Sequence, residues 1–324
     1  MDVTELPDRN VGDQPDPFGI RLFTFQEKKM QDLKKPLSFV DQVDKLHTHG
    51  MTFEDGHLVE QFLQQINYYR FTGYTLQFRK DPNKSDLVEG TSFAQIHRIY
   101  LFDEVLRNLC RRYIEIAEIY YRTQIAHTFA MAKCLNPPHD QHYDRNNFFQ
   151  KSRYDEVISS LDKEKQHYKD SLIVKHHDAK YGSKMPLWVI VELLSFSNLS
   201  KLYSTMYDSE KQAIASSVNS GKETLQNHLH CLSVLRNKCA HAARLYNTVF
   251  YPPAKLGTRF LQKHPEVRSE SLFAYIIVLL KRLPDKESKR LFSIELENVL
   301  EEFKDDIDLS RIGFPENYKD FLVK

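Results

Sequence analysis

The sequence predicts an all-α protein. Apolar residues recur at three- and four-residue spacing over long segments, which is the pattern of helices with one buried face. Only ten glycines occur among the 324 residues, and no segment alternates apolar and polar residues as a half-buried strand does. The clearest apolar stripe runs through residues 93–133 and contains Ile96, Ile99, Phe102, Leu106, Leu109, Tyr113, Ile116 and Tyr120.

The first ninety residues predict a flexible start followed by two helices. Residues 1–19 are rich in Asp, Pro and Gly, and we expect them to form a flexible lead. A proline-started segment from about residue 36 ends at Gly50, as a helix commonly does, and a second helix is expected over 54–70. Residues 20–90 therefore form an expected N-terminal helical segment.

The middle of the chain predicts a helical core over residues 91–250. The longest helix is expected over 93–133, followed by a helix at 152–173 and a histidine- and lysine-rich loop at 175–184. Pro186 opens a helix that carries the only tryptophan, and shorter helices follow at 198–206 and 208–219. The segment 223–247 reads as one helix with a leucine stripe.

The last part of the chain predicts a C-terminal helical extension over residues 251–324. Two helices are expected there, at 270–282 and 286–304. We expect the three helical parts to pack as one globular unit.

Composition and motifs exclude several classes of protein. The formal net charge is +1, so the chain has no bulk basic surface of the kind that dominates non-specific binding to duplex DNA. The beginning of the chain lacks a signal segment and no apolar run reaches ~18 residues, so we expect a cytoplasmic protein with no membrane contact. The sequence contains no Walker loop, no GxGxxG, no HExxH, no GxSxG and no kinase signature.

Neither a metal ion nor a cofactor is expected. His139 and His142 share a polar loop, but no second cluster at ligand spacing accompanies them. A metal nuclease that uses His176, His177 and Asp178 remains an alternative, which sensitivity to EDTA would reveal.

The anomaly in the sequence is an arginine on an apolar helix face. Arg236 falls almost at the centre of the leucine stripe of 223–247, where an unpaired buried guanidinium would be very costly. The fold must therefore supply an anion or an opening there, and Glu192 is a candidate partner. Asn237 and His241 are four residues apart and share a neighbouring face, whereas Arg236 and His241 differ by ~140° in direction on a straight helix.

The spacing from Arg236 to His241 recurs twice more in the chain. Arg259 and His264 lie in a proline-rich connection, where the spacing is an accident. Arg122 and His127 lie in the longest helix, with Glu118 one turn before the arginine. Three roles stay open for this second pair: a surface or structural ion pair, a second catalytic half, or contact with RNA.

Two basic segments are further candidates for contact with RNA. Arg107, Arg111 and Arg112 lie in the most basic region of the longest helix, which is either a solvated face or a strip facing phosphates. The second segment contributes Lys175, His176 and Lys184.

Six blocks of sequence carry a resemblance to a known family. In chain order they are INYYRFTGY (66–74), IEIAEIYYRTQIAH (114–127), IVKHHDAKY (173–181), PLWVIVELLSFSNLSKLY (186–203), LRNKCAHAARLYN (235–247) and IGFPENYKDFL (312–322). Together they resemble the Abi-like proteins of bacterial abortive infection systems, the AbiD/AbiF group, over roughly residues 30–322. Ser197 is one departure, because the family block often has glycine at that position, and we expect it to be tolerated.

The resemblance implies a fold and an activity. The family belongs with the HEPN superfamily, which implies a HEPN-type helical bundle with additional N- and C-terminal helices. The superfamily signature R-N-x-x-x-H matches Arg236, Asn237 and His241, which are the implied catalytic residues. HEPN ribonucleases generally act without metal and pair two such motifs.

The implied function is therefore a metal-independent endoribonuclease that cuts RNA by 2′-hydroxyl attack. It would act in an abortive-infection or toxin-type phage defence system, as a homodimer restrained by an RNA or protein antitoxin. The alternative is a non-catalytic HEPN protein that binds RNA or serves as a scaffold in such a system.

Overall fold

The computed structural model describes residues 33–323 of the chain, and this part forms helices and no strand. The all-α prediction is confirmed. The α-helices are α1 (Phe39–Thr48), α2 (Gly56–Gln65), α3 (Tyr68–Thr72), α4 (Phe93–Lys133), α5 (Lys151–His167), α6 (Leu172–Tyr181), α7 (Leu187–Ile190), α8 (Phe196–Thr205), α9 (Asp208–Ser217), α10 (Lys222–Ala240), α11 (Thr258–Lys263), α12 (Leu272–Arg282) and α13 (Lys286–Glu302). Short 3₁₀ helices lie at Gly73–Phe78, Gln141–Tyr143, Arg145–Asn147, Val191–Leu193, Leu309–Ile312 and Tyr318–Phe321.

Residues from Phe39 onward form one compact unit. The flexible lead expected over 1–19, and the first residues of the segment expected over 20–90, lie outside the described residues. The boundaries expected near residues 91 and 251 stay predictions. Within the described part of the chain, no helix is both long enough and apolar enough to span a membrane.

Helix α4 is the axis of the fold. It is 41 residues long, about 60 Å at the usual helical rise, and begins where Ser92 accepts a hydrogen bond from the backbone N–H of Gln95. Its buried face packs against α7, α8, α9, α10, α12 and α13. The predicted bounds of this helix, 93–133, are confirmed. Helix α10 lies against it, so the helices that carry the Arg122–His127 and Arg236–His241 spacings are neighbours.

Helix α10 ends earlier than predicted. The expected helix over 223–247 stops at Ala240, and His241 is its last, half-helical residue. Ala242 adopts a left-handed backbone with φ of 50° and donates its N–H to Cys239 O at 3.2 Å. Ala243 donates its N–H to Lys238 O at 2.8 Å. These two bonds form a Schellman motif, which ends a helix by satisfying its last carbonyls.

Replacement of Ala242 by glycine is expected to stabilise the protein by about 0.5–1 kcal/mol. Glycine removes the steric cost that a Cβ carries in the left-handed region, at a smaller cost in the entropy of the unfolded chain. Thermal or urea denaturation followed by circular dichroism measures the change. Ala242→Val is the matched control, because its branched side chain should lower stability; a lower midpoint for Ala242→Gly would contradict the assignment.

Two further predictions of secondary structure are wrong. The loop expected at 175–184 is helix α6, which begins after Ser171 and ends at Gly182, where φ is 58°. The predicted helix after Pro186 is only one turn of α-helix and one 3₁₀ turn, because the chain is extended at Leu194 and α8 then starts after a new cap, Ser195.

Candidate functional site

The segment that follows His241 is held by a fully buried carboxylate on α4. Asp103 accepts hydrogen bonds from the backbone N–H groups of Leu245 at 3.0 Å and Tyr246 at 2.8 Å. The Tyr74 hydroxyl donates to the same carboxylate at 2.7 Å and the Arg107 guanidinium at 2.6 Å. Arg107, a candidate for either a solvated face or a strip facing phosphates, has instead a buried side chain whose charge is matched by Asp103.

Two more arginines tie the same segment to the N-terminal part of the compact unit. Arg70 donates to the carbonyl of Ala242, and Arg244 donates to the carbonyl of Gly73. Residues 242–246 are thus held both by Asp103 on α4 and by the segment around Arg70 and Gly73. These contacts bring the block at 66–74 against the Arg-Asn-His block in the fold.

Arg236 lies beside an open cleft between α4 and α10. The cleft has a volume of about 440 Å³ and is lined by Arg111, Glu115, Glu118, Ile119, Arg122, Glu192, Arg236 and Ala240. The side chain of Arg236 is 37% exposed, and its Nε lies 3.7 Å from Glu118 Oε2. The partner expected from the sequence, Glu192, is wrong, since Glu192 lies 3.9 Å from Arg122 instead. The sequence predicts that the fold supplies either an anion or an opening for Arg236. The structure supplies both, because Glu118 faces the guanidinium and the cleft beside it is open.

Glu118 is shared between two arginines. Its Oε1 accepts a hydrogen bond from Arg122 at 2.7 Å, while its Oε2 faces Arg236. Burial raises the pKa of the Glu118 carboxyl, and the charges of Arg122 and Arg236 oppose that rise. The carboxylate thereby links α4 to the arginine of α10.

Arg122 has the contacts of a structural ion pair. Its guanidinium is buried and donates to the carbonyl of Leu194 at 2.9 Å and to the carbonyl of Val191, besides Glu118. His127 is exposed and lines a different cavity, so the two members of this pair do not converge on one site. Among the three roles left open by the sequence, these contacts favour the ion pair for Arg122.

Asn237 lies on the other side of α10 and connects two neighbours. Its Nδ2 donates to the Ser197 hydroxyl at 3.0 Å, and its Oδ1 lies 3.5 Å from Arg236 Nη1. Ser197, the departure from the family pattern, therefore contacts an implied catalytic residue. Both Asn237 and Ser197 line a polar groove of about 650 Å³ between α5, α8 and α10.

His241 is exposed at the end of α10. Its backbone N–H donates to Asn237 O at 3.0 Å, and the Schellman motif directly after it fixes its backbone. Ala240, the residue before His241, lines the Arg236 cleft. The His241 imidazole is exposed to solvent, one residue after the wall of that cleft.

The remaining basic candidates fall into two places. Arg111 is exposed on the Arg236 cleft, whereas Arg112 is engaged by Glu295 on α13. Lys175 and the exposed His176 are on α6, and Lys184 follows it. Lys175 lies 3.1 Å from Asp170, and Lys184 lies 2.5 Å from Asp140. Across residues 33–323, no three His, Cys, Asp or Glu side chains are close enough to hold a metal ion.

Comparison with known proteins gives one match. A family model described as Abi-like protein matches residues 61–247, a range that includes Glu118, Arg236, Asn237 and His241. The chain matches no curated protein and no solved structure at a significant level.

Proposed function

The chain belongs to the Abi-like protein family, and from this premise we propose that it is a HEPN-type endoribonuclease acting in abortive-infection phage defence. The observation that carries the proposal is the end of α10: a half-exposed arginine faces an open cleft, and an exposed histidine follows one turn later on a rigidly held backbone. We place the reaction in the cytoplasm and propose that it needs no metal ion.

The reaction is the attack of an RNA 2′-hydroxyl on the adjacent phosphorus. The O2′–P bond forms as the P–O5′ bond breaks, leaving one fragment with a 2′,3′-cyclic phosphate and the other with a 5′-hydroxyl. One group must remove the 2′-proton and another must protonate the leaving oxygen. An imidazole serves either role near neutral pH, and His241 is the group that we assign to it.

Arg236 is the group that we assign to the phosphate. A guanidinium offers a forked pair of donors to the oxygens of a phosphate as its charge rises in the transition state. Glu118 faces the Nε side of Arg236, and Asn237 Oδ1 lies near Nη1, so the guanidinium is oriented before the substrate arrives. Preorganisation of this kind avoids reorganisation during the reaction.

A second copy of the chain would complete the site. One motif supplies one histidine, whereas the reaction uses a base and an acid. We therefore propose a homodimer in which two copies of the α10 end face each other, and a neutralising RNA or protein partner that restrains the activity. The mass of the purified protein in solution, before and after nuclease treatment, tests for both the dimer and bound RNA.

The proposal is tested by the chemistry of the products. Purified protein incubated with total RNA in excess EDTA should yield fragments with 2′,3′-cyclic phosphate and 5′-hydroxyl ends. Cleavage that EDTA abolishes would point to the metal-dependent alternative. Tight binding of RNA without any cleavage would favour the non-catalytic RNA-binding protein.

Replacement of Ser197 by alanine is expected to slow cleavage about threefold to tenfold. The change removes one neutral hydrogen bond to Asn237, worth about 0.5–1.5 kcal/mol, and leaves the polypeptide backbone of α8 unchanged. Initial rates on one labelled RNA measure the effect. Ser200→Ala, on the same helix and in the same groove, is the control; equal rates for both variants and the wild type would exclude a positioning role for Ser197.

A further inference from the structure

Three neighbouring cavities share lining residues, and together we call them the furrow. The cleft at Arg236 shares Glu192 with a second cavity of about 470 Å³, which also contains His127. That second cavity shares His139 and Trp188 with a third, of about 520 Å³, next to α6. The furrow therefore leads from the proposed catalytic arginine to Trp188 and on to the basic end of α6.

Two exposed aromatic rings line the far end of the furrow. Trp188, the only tryptophan of the chain, is 47% exposed, and Tyr181 is 50% exposed. Both line the third cavity together with Pro138, Met185, Pro186 and Val189. Large aromatic side chains that stay exposed together in one cavity are typical of a binding site. Leaving them in contact with water forgoes the stabilisation that their burial would give the folded state.

The histidines of this cavity present acceptors beside the rings. His139 Nδ1 lies 2.7 Å from Cys134 O, and His177 Nδ1 lies 2.8 Å from Ile173 O. A carbonyl can only accept, so each Nδ1 carries a proton, and Nε2 is the ring atom left to face the cavity as an acceptor in the neutral tautomer. Acceptors next to an aromatic wall suit the exocyclic amino groups of nucleobases.

Two lysines lie at this end of the furrow, and a carboxylate balances one of them. Lys184 lines the cavity and is paired with Asp140. Lys180 lies 5.4 Å above the Tyr181 ring and makes no ion pair among the described residues. Aromatic platforms next to lysines form the usual binding surface for single-stranded nucleic acid.

We propose that the furrow binds an unpaired stretch of RNA next to the cleaved bond, with one base stacked on Trp188. The inference rests on the proposed function and adds a substrate class to it. A free base face is needed for stacking on the indole, and a duplex hides its base faces inside the helix. The enzyme should therefore bind loops and single strands in preference to duplexes.

The single tryptophan makes the test direct. Trp188 fluorescence is recorded while His241→Ala protein, which we expect not to consume the RNA, is titrated with a single-stranded adenine-rich oligonucleotide. The same strand annealed to its complement is the comparison, and free N-acetyltryptophanamide corrects for absorption by the RNA. We expect saturable quenching by the single strand and at least tenfold weaker binding of the duplex.

Variants separate stacking from other causes of quenching. Trp188→Ala is expected to weaken binding of a labelled single strand about tenfold by fluorescence polarisation, as loss of one stacked base does, and Trp188→Phe should recover most of it. Phe149→Ala is the control, because Phe149 is exposed but lines none of the three cavities. Circular dichroism establishes that each variant is folded.

The outcomes distinguish the inference from the proposed function. Cleavage of RNA with no quenching, and with unchanged affinity in Trp188→Ala, would overturn the furrow and leave the proposed function standing. Equal quenching by single strand and duplex would also overturn it. Failure of the protein to bind or cleave any RNA would overturn both.

Discussion

His241→Ala protein is expected to cleave RNA about 10²–10⁴-fold more slowly than the wild type, which is the usual contribution of a positioned general acid or base. The imidazole is exposed at the end of α10, so its removal leaves no cavity and should leave stability nearly unchanged. Initial rates on a labelled single-stranded RNA, with denaturation curves for both proteins, measure the two effects separately.

The chain offers a matched control for this variant. Arg259 and His264 have the same spacing but lie outside the family match, and His264 is paired with Glu266. His264→Gln protein should therefore cleave at the wild-type rate. A His241→Ala protein that retains a rate within about threefold of the wild type would sink the catalytic assignment.

Asp103→Ala protein is expected to lose about 3–5 kcal/mol of its free energy of unfolding. The substitution leaves the Arg107 charge buried without its partner, and it removes the acceptor for Leu245 N–H, Tyr246 N–H and the Tyr74 hydroxyl. Urea denaturation followed by circular dichroism measures the loss. Because this carboxylate also holds the segment after His241, any variant that still folds should show reduced cleavage.

An exposed ion pair between α4 and α13 serves as the comparison. Arg112 and Glu295 are both partly exposed, so Glu295→Ala should cost less than about 1 kcal/mol. The double variant Asp103→Leu/Arg107→Met removes both buried charges and should recover part of the stability that Asp103→Ala loses. A loss below about 1 kcal/mol for Asp103→Ala would contradict the role assigned to this network.

The elements that the sequence predicts best are those whose signals are local. The long apolar stripe of helix α4 predicts the helix, and the structure adds the serine cap at its start. Helix α10 has no such signal at its end, because alanine rather than glycine occupies the left-handed position at 242. The histidine- and lysine-rich composition of α6 predicts a loop, although Ser171 and Gly182 are ordinary signals for the start and end of a helix.

The parts of the candidate site that the sequence could not predict depend on contacts between distant segments. The pattern singles out Arg236, but its partner Glu118 lies on another helix and could not be chosen over Glu192. Asp103 looks like one more charged residue of an amphipathic helix, and only the fold shows that it is buried and receives donors from residues 74 and 245. The contact between Ser197 and Asn237 likewise joins residues 40 positions apart and has no local signal in the sequence.

The hydrogen bonds from Leu245 and Tyr246 to Asp103 span 142 and 143 positions of the chain. During synthesis, α4 leaves the ribosome long before residues 245 and 246 do. The hydrogen bonds to Asp103 can therefore form only after all of α10 has been made. The segment after His241 is held against α4 only once this long-range contact closes. For the proposed ribonuclease, cleavage would therefore begin only after the compact unit has folded.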